Sequence, residues 1–128
     1  MVGHTGNYLA TIVSMEALDI QLARILAAID AAKGVAIITA DHGNADEMYE
    51  VDKKGEPKQN KDGSYKAKTS HTLNPVPCIF YDNFYADKYE VKADENGSFG
   101  LANIAATTVN LLGYDAPDMW CESMITIK

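Results

Sequence analysis

The chain contains three histidines, and each sits in a short polar segment punctuated by glycine or proline. They are His4 in Gly3-His4-Thr5-Gly6, His42 in Asp41-His42-Gly43-Asn44, and His71 in Ser70-His71-Thr72-Leu73-Asn74-Pro75. A lone histidine is more often a hydrogen-bonded surface residue than a ligand. Three in such settings, none on an apolar helical stripe, point toward a shared task. Imidazole nitrogen and carboxylate oxygen are donors that divalent metals accept. Asp41-His42 offers both side by side, and Gly43 lets the backbone turn so that neighbouring side chains can face one ion. The residues alone leave open a second reading, in which Asp41 caps a turn and His42 is solvated.

Other reactive types carry less. Asp46 and Glu47 read as the polar first turn of a helix. The six lysines between positions 53 and 68 are interleaved with Asp52, Glu56 and Asp62, which describes a solvated loop rather than a phosphate-binding patch. Cys78 lies in an apolar run and reads as an inert core thiol, and Cys121, beside Trp120, as packed. No Walker loop, dinucleotide fingerprint or serine elbow is present.

Elements able to position the histidines are legible on either side of them. Across 8–33, Met15, Leu18, Leu22, Ile25, Leu26 and Ile29 recur at helical spacing, with Gly34 where a C-terminal cap belongs; this predicts a long helix with one apolar face. The run 35–40, β-branched and without alternation, suits a strand covered on both faces in a parallel sheet. It would deliver Asp41 and His42 to its carboxyl end, where ligand sites of open α/β sheets gather. Further strands are expected at 76–81 and 89–92, a helix at 101–113 stopped by Gly113, and a short strand in the Met124-Ile125-Thr126-Ile127 tail. Segment 49–70 is polar, with turn signals at Lys54-Gly55 and Asp62-Gly63, and reads as a surface excursion within a single domain spanning 1–128. No internal repeat is evident.

Charge narrows the partners. The 128 residues hold 11 Lys+Arg against 18 Asp+Glu, a net charge of −7. An acidic protein of this kind is a poor match for nucleic acid or an anionic membrane surface. No apolar run reaches membrane-spanning length, and the first residues lack the pattern of a leader peptide, so a soluble cytoplasmic protein is expected. Two cysteines do not make a disulfide scaffold.

Three segments in order carry a resemblance: Met1-Val2-Gly3-His4-Thr5-Gly6-Asn7, Thr39-Ala40-Asp41-His42-Gly43-Asn44-Ala45-Asp46, and Thr69-Ser70-His71-Thr72-Leu73-Asn74-Pro75-Val76-Pro77. Together they resemble the carboxyl-terminal part of cofactor-independent (2,3-bisphosphoglycerate-independent) phosphoglycerate mutases, of the alkaline phosphatase superfamily. The likeness implies an α/β fold, the carboxyl-terminal half of an alkaline-phosphatase-like three-layer α/β/α domain. It implies interconversion of 3-phosphoglycerate and 2-phosphoglycerate in glycolysis through a phosphoserine. It further implies two divalent metal ions, manganese in kind, with His4 and His71 on one and Asp41 and His42 on the other. The family's serine nucleophile and its two further aspartate ligands have no counterpart in this sequence, so the chain by itself is expected to be inactive. Asn103 and Ala106 depart from the aspartate and proline common in the family, and 49–70 is longer than in many relatives.

Two alternatives stand beside this reading: half of a phosphopentomutase or metallophosphatase of the same superfamily, and a stand-alone metal-binding or interaction module. A half domain would leave strand edges and apolar helix faces uncovered, so self-association is expected. If two ions share one phosphate, the four side chains must fall within a patch about 10 Å across.

Overall fold

A computed structural model describes residues 1–128. The chain forms two compact units, one built from Met1–Ala28 and Ile38–Ile79, the other from Ile29–Ile37 and Phe80–Lys128.

The first unit begins with a 3-10 turn, Val2–Thr5, closed by Gly6 in the left-handed region at φ 71°. A side chain at Gly6 would press on Ala67 and Thr69. Helix α1, Tyr8–Ala31, follows. Asn7 starts it: its Oδ1 accepts from the Ala10 N–H at 3.0 Å, satisfying one of the donors that a helix N-terminus leaves free.

The expected single apolar face of α1 is not buried. Thr11 is the helix's one buried residue. Leu9, Val13, Leu18, Ile20 and Ile25 are all more than half exposed. Apolar side chains ring the helix instead of lining one side, so no single contact could cover them. The stop also differs. Gly34 donates its N–H to Ile29 O at 2.9 Å, a Schellman closure, but the left-handed residue is Lys33, at φ 52°. A lysine there costs about 1 kcal/mol relative to glycine. At the end of α2 (Ile104–Leu111) the same closure, Tyr114 N–H to Val109 O at 3.1 Å, does place a glycine, Gly113, at φ 83°.

Strand β1, Ala36–Thr39, lies beside β2, Cys78–Tyr81, in a two-stranded sheet. Neither strand is covered on both faces as its composition suggests. Ala36, Ile37 and Ile38 are half-buried, while Cys78 and Ile79 are exposed. Two strands do not make a sheet broad enough to bury both faces of either.

The 49–70 excursion is more ordered than a solvated loop. Backbone bonds run Glu50 N–H to Lys66 O, Lys58 N–H to Glu50 O and Lys66 N–H to Lys58 O, at 2.8 to 2.9 Å, so three short arms close on one another. The arms repeat at an eight-residue spacing, Tyr49-Glu50, Pro57-Lys58 and Tyr65-Lys66, and Gly55 and Gly63 turn the chain between them at φ 85° and 83°. This short repeat escaped the sequence reading. At its centre the Glu50 carboxylate accepts from Lys66 Nζ at 2.9 Å and Lys58 Nζ at 3.4 Å. These bonds hold its carboxyl below the ordinary value, Lys66 contributing most.

In the second unit, β3 (Tyr89–Val91) pairs antiparallel with β4 (Ile125–Ile127), in the register Tyr89 to Ile127. Tyr89 is buried, and burial together with its bond to Asp82 pushes its hydroxyl up to about 12. Before α2, Asn103 closes a 3-10 turn: its Oδ1 accepts from Gly100 N–H at 2.8 Å and its Nδ2 donates to Glu122 O at 2.9 Å. An aspartate could not make the second bond, which gives the departure at this position a local reason.

Thr107 ties α2 to the start of β4. It is fully buried, donating to Asn103 O at 2.7 Å and accepting from the Met124 N–H at 2.9 Å. Replacing it with valine, close in shape but unable to accept, strands the Met124 N–H. Thr107→Val should therefore destabilise the chain by about 1–3 kcal/mol, and Thr107→Ser by less, in urea titrations.

Candidate metal centre

The loop after β1 and the loop before β2 meet in one antiparallel bridge, Gly43 opposite Thr72, with the Thr72 N–H donating to Gly43 O at 2.9 Å. Residues just before each member of such a pair project to the same side and sit diagonally across it. His42 and His71 are those residues. Their rings stack with centroids 3.5 Å apart and planes 14° from parallel. The 3-10 turn at the amino terminus brings His4 to the same place, its ring 5.1 Å from that of His71 and 5.5 Å from that of His42. One ring nitrogen from each of the three lies within 4.8 Å of the others. Positions 4, 42 and 71 are thus gathered, His4 and His42 half-buried and His71 exposed.

Hydrogen bonding decides which nitrogens are free. His4 Nδ1 is 2.7 Å from Thr69 O and His42 Nδ1 is 3.1 Å from Gly43 O. A carbonyl only accepts, so each Nδ1 carries the hydrogen, and in the neutral ring Nε2 keeps its lone pair. The second nitrogen of His42 lies 3.6 Å from Asp41 Oδ2. An imidazole nitrogen and a carboxylate oxygen side by side are both donors that a divalent ion accepts. The three imidazoles are donors of the kind a divalent ion accepts, while Asp41 lies beside His42 but outside their cluster. Asp41 is the least fixed of the four, its side chain 85% exposed.

Four polar residues that sequence reasoning passed over hold the loops together. Asp46 is in a turn, not a helix, and its Oδ2 accepts from Asn74 Nδ2 at 2.7 Å and from Thr72 Oγ1 at 2.9 Å. Asn44 donates to Ser70 O at 3.1 Å, and its side chain occupies the space where a Cβ on Gly3 would stand. A Cβ on Gly43 would overlap Thr72 Oγ1 and crowd Asp46 Oδ1, so only glycine lets the bridge close. Glu47 pairs with Lys68 at 2.7 Å. The available signal was that Asn44, Asp46, Thr72 and Asn74 lie inside the histidine segments. Neither cysteine joins the site. Cys78 is exposed, not in the core, although desolvation by nearby protein pushes its thiol up, and Cys121 is exposed as well.

Helices, short strands and a cluster of convergent imidazoles describe a unit of α/β type. Residues 1–116 match the Metalloenzyme superfamily, and the chain belongs to it. Its similarity within that group runs to phosphoglycerate mutases. It is 44% identical over 127 residues to the 2,3-bisphosphoglycerate-independent phosphoglycerate mutase of Trypanosoma brucei brucei, covering 99% of this chain and 23% of that protein. It is 42% identical over 127 residues to the 2,3-bisphosphoglycerate-independent phosphoglycerate mutase 1 of Arabidopsis thaliana, again 99% of this chain and 23% of that protein. A crystal structure of Leishmania mexicana phosphoglycerate mutase, determined at low cobalt concentration, superposes with a TM-score of 0.90 at 42% identity, covering 99% of this chain and 23% of that one. The chain thus spans under a quarter of the length of these relatives.

Bonds from Asn74 first, then Thr72, hold the Asp46 carboxyl below its ordinary value of 3.8, against the opposing effect of desolvation. A depressed carboxyl contributes stability above its unfolded value and loses it as pH falls through the folded one. The stability difference between the parent chain and Asp46→Asn should be constant near neutrality and shrink below pH 3.8. Urea titrations across that range check it, and a difference that persists unchanged at the acid end contradicts it.

Proposed function

We propose that the chain is the metal-binding part of a phosphoglycerate mutase that interconverts 3-phosphoglycerate and 2-phosphoglycerate in glycolysis through a phosphoserine. The serine nucleophile would lie in a part of the protein outside these 128 residues. The observation that carries the reading is the gathering of His4, His42 and His71, from three separate segments, with ring nitrogens within 4.8 Å. The likeness to phosphoglycerate mutases over 99% of the chain gives that cluster its enzymatic context.

In this reading His4 and His71 hold one divalent ion and Asp41 and His42 a second, both manganese. The His42 nitrogen at 3.6 Å from Asp41 supports the second pairing, and the first rests on the likeness to the mutases, since the ring of His71 lies nearer His42 than His4. When bound, such ions neutralise phosphoryl oxygens and lower the pKa of an attacking hydroxyl. The chain's own residues do the positioning. Thr69 O fixes the tautomer and tilt of His4, and Gly43 O does so for His42. With a net charge of −7 the chain provides no general field to attract a phosphorylated acid, so recognition must be local. A glycolytic role implies a cytoplasmic setting, which two free cysteines suit. We read 1–128 as a portion of one phosphatase-type domain, with 49–70 a surface excursion from it.

The exposed apolar ring of α1 fits a portion that is covered when the rest of the protein is present. Alone, the chain should self-associate, its apparent mass in light scattering rising with concentration. A mass constant over a wide concentration range counts against this.

The purified chain with Mn²⁺ should not convert 3-phosphoglycerate, because it lacks the nucleophile. Its Mn²⁺ affinity by calorimetry should be weaker than about 1 μM, since water would complete each ion's shell. In the full-length protein, His71→Ala should lower kcat/KM by at least about a hundredfold, more than the loss of an outer residue supporting a ligand. Turnover by the chain alone, or a full-length His71→Ala enzyme as active as the parent, overturns the reading.

A further inference from the structure

Asp46 is a carboxylate of the His42 loop whose side-chain bonds go to the opposite loop and not to a histidine. Its Oδ2 takes two side-chain bonds from the opposite loop, Asn74 Nδ2 at 2.7 Å and Thr72 Oγ1 at 2.9 Å. Its Oδ1 lies over the α-carbon of Gly43. Thr72 is buried and uses its backbone N–H for the bridge to Gly43 and its hydroxyl for Asp46. The same residue is thus held twice, once through backbone and once through side chain, by segment 43–46. Thr72 directly follows His71, and Gly43 directly follows His42. Whatever fixes the approach of Thr72 to Gly43 also fixes the approach of the two stacked rings.

We propose that Asp46, through Thr72 and Asn74, is the clasp that sets the His42–His71 ring separation. These are positioning residues for the pair, their side chains hydrogen-bonded to one another and not to a histidine, and they act through the backbone of residues 43 and 72. The relevance of the clasp to an ion rests on the metal-centre reading above. The clasp itself does not, because it is complete without one. Two features suit Asp46 to this task. A carboxylate only accepts, so both donors can point at one oxygen without competition. An aspartate side chain is also short, so the bonds cannot be kept while the loops drift apart.

A single bridge pair would be a weak hinge. With no strand continuing on either side of Gly43 and Thr72, the loops could rotate about that contact and part the rings. Bonds at 46–72 and 46–74 on one side and Asn44 to Ser70 on the other straddle the bridge and remove that freedom.

The test uses the 128-residue chain and two readouts. Without metal, nuclear Overhauser contacts between the ring protons of His42 and His71 report the stack directly. With Co²⁺ alone as the probe, which binds such donors more tightly than Mn²⁺, affinity and the visible ligand-field bands report how well the rings serve an ion. Asp46→Ala, Thr72→Val and Asn74→Ala should weaken or abolish the ring-to-ring contact and raise the Co²⁺ Kd, by about tenfold for the first two. Thr72→Ser, which keeps the hydroxyl, should restore both. Asn74 is exposed, so its variant stays informative if the buried Thr72→Val chain fails to fold. A role in stability alone would lower the melting temperature yet leave the contact and the Co²⁺ bands of the folded chain unchanged. Parent-like ring contacts in Asp46→Ala and Asn74→Ala overturn the clasp, even if His42→Ala abolishes Co²⁺ binding and so upholds the metal centre. If the parent and His42→Ala bind Co²⁺ alike, the metal-centre reading falls, while the metal-free ring contacts still decide the clasp.

Discussion

The contact on which the site depends is a single antiparallel bridge between Gly43 and Thr72, made between loops and not between strands. It has no ladder to extend it, so its geometry comes from what surrounds it: a missing side chain at Gly43, a buried hydroxyl at Thr72 and a carboxylate that binds the opposite loop. Once those are in place, the alternation of side chains about a bridge pair leaves His42 and His71 with one face to share. His4 then needs only a short 3-10 turn and one bond to Thr69 O to join them. Three distant positions therefore meet through a few short-range polar ties.

Gathering imidazoles has an electrostatic condition. Two stacked rings 3.5 Å apart repel if both are charged, and two inward-facing lone pairs repel if both are neutral. Thr69 O takes the Nδ1 hydrogen of His4 and Gly43 O that of His42, which leaves the second nitrogen of each neutral ring as an acceptor. A cation is the group that complements acceptors so arranged. Asp41 adds formal negative charge at its edge without being locked there, since its side chain stays open to water. Asp46, by contrast, is spent on holding the loops, through its bonds to Thr72 and Asn74.

Much of this was legible in residue types and spacing. Glycine and proline around each histidine, β-branched residues before Asp41 and turn signals at Gly55 and Gly63 all correspond to features of the structure. What sequence could not supply follows a physical pattern. Asp46 and Glu47 carry the composition of a helix start, and only the position of Thr72, 26 residues away, reveals that a turn uses them instead. Gly34 looks like a helix stop and acts one residue late, because the Schellman closure here counts from Ile29 and leaves the left-handed position to Lys33. The arms of 49–70 are hard to see in sequence because Pro57 interrupts the register that Tyr49 and Tyr65 share.

The longest misjudgement concerns α1. Helical spacing predicts one apolar face, whereas apolar side chains ring the helix and Thr11 alone is buried. Spacing establishes that a helix can bury a face and says nothing about what is present to bury it against. The chain covers 23% of each of several relatives that it matches over almost its whole length, so an element apolar on every side is what a portion of a larger fold would show. The histidine cluster escapes that dependence. Its ties, Gly43 to Thr72, Asp46 to Asn74, Asn44 to Ser70 and His4 to Thr69, all begin and end within the first compact unit. An apolar helix needs area to cover it, and area must come from elsewhere in a protein. A polar cluster needs partners at hydrogen-bond distance, and a short stretch of chain can carry its own. The arrangement of the site is therefore a property of these loops, while the covering of α1 is a property of whatever surrounds them.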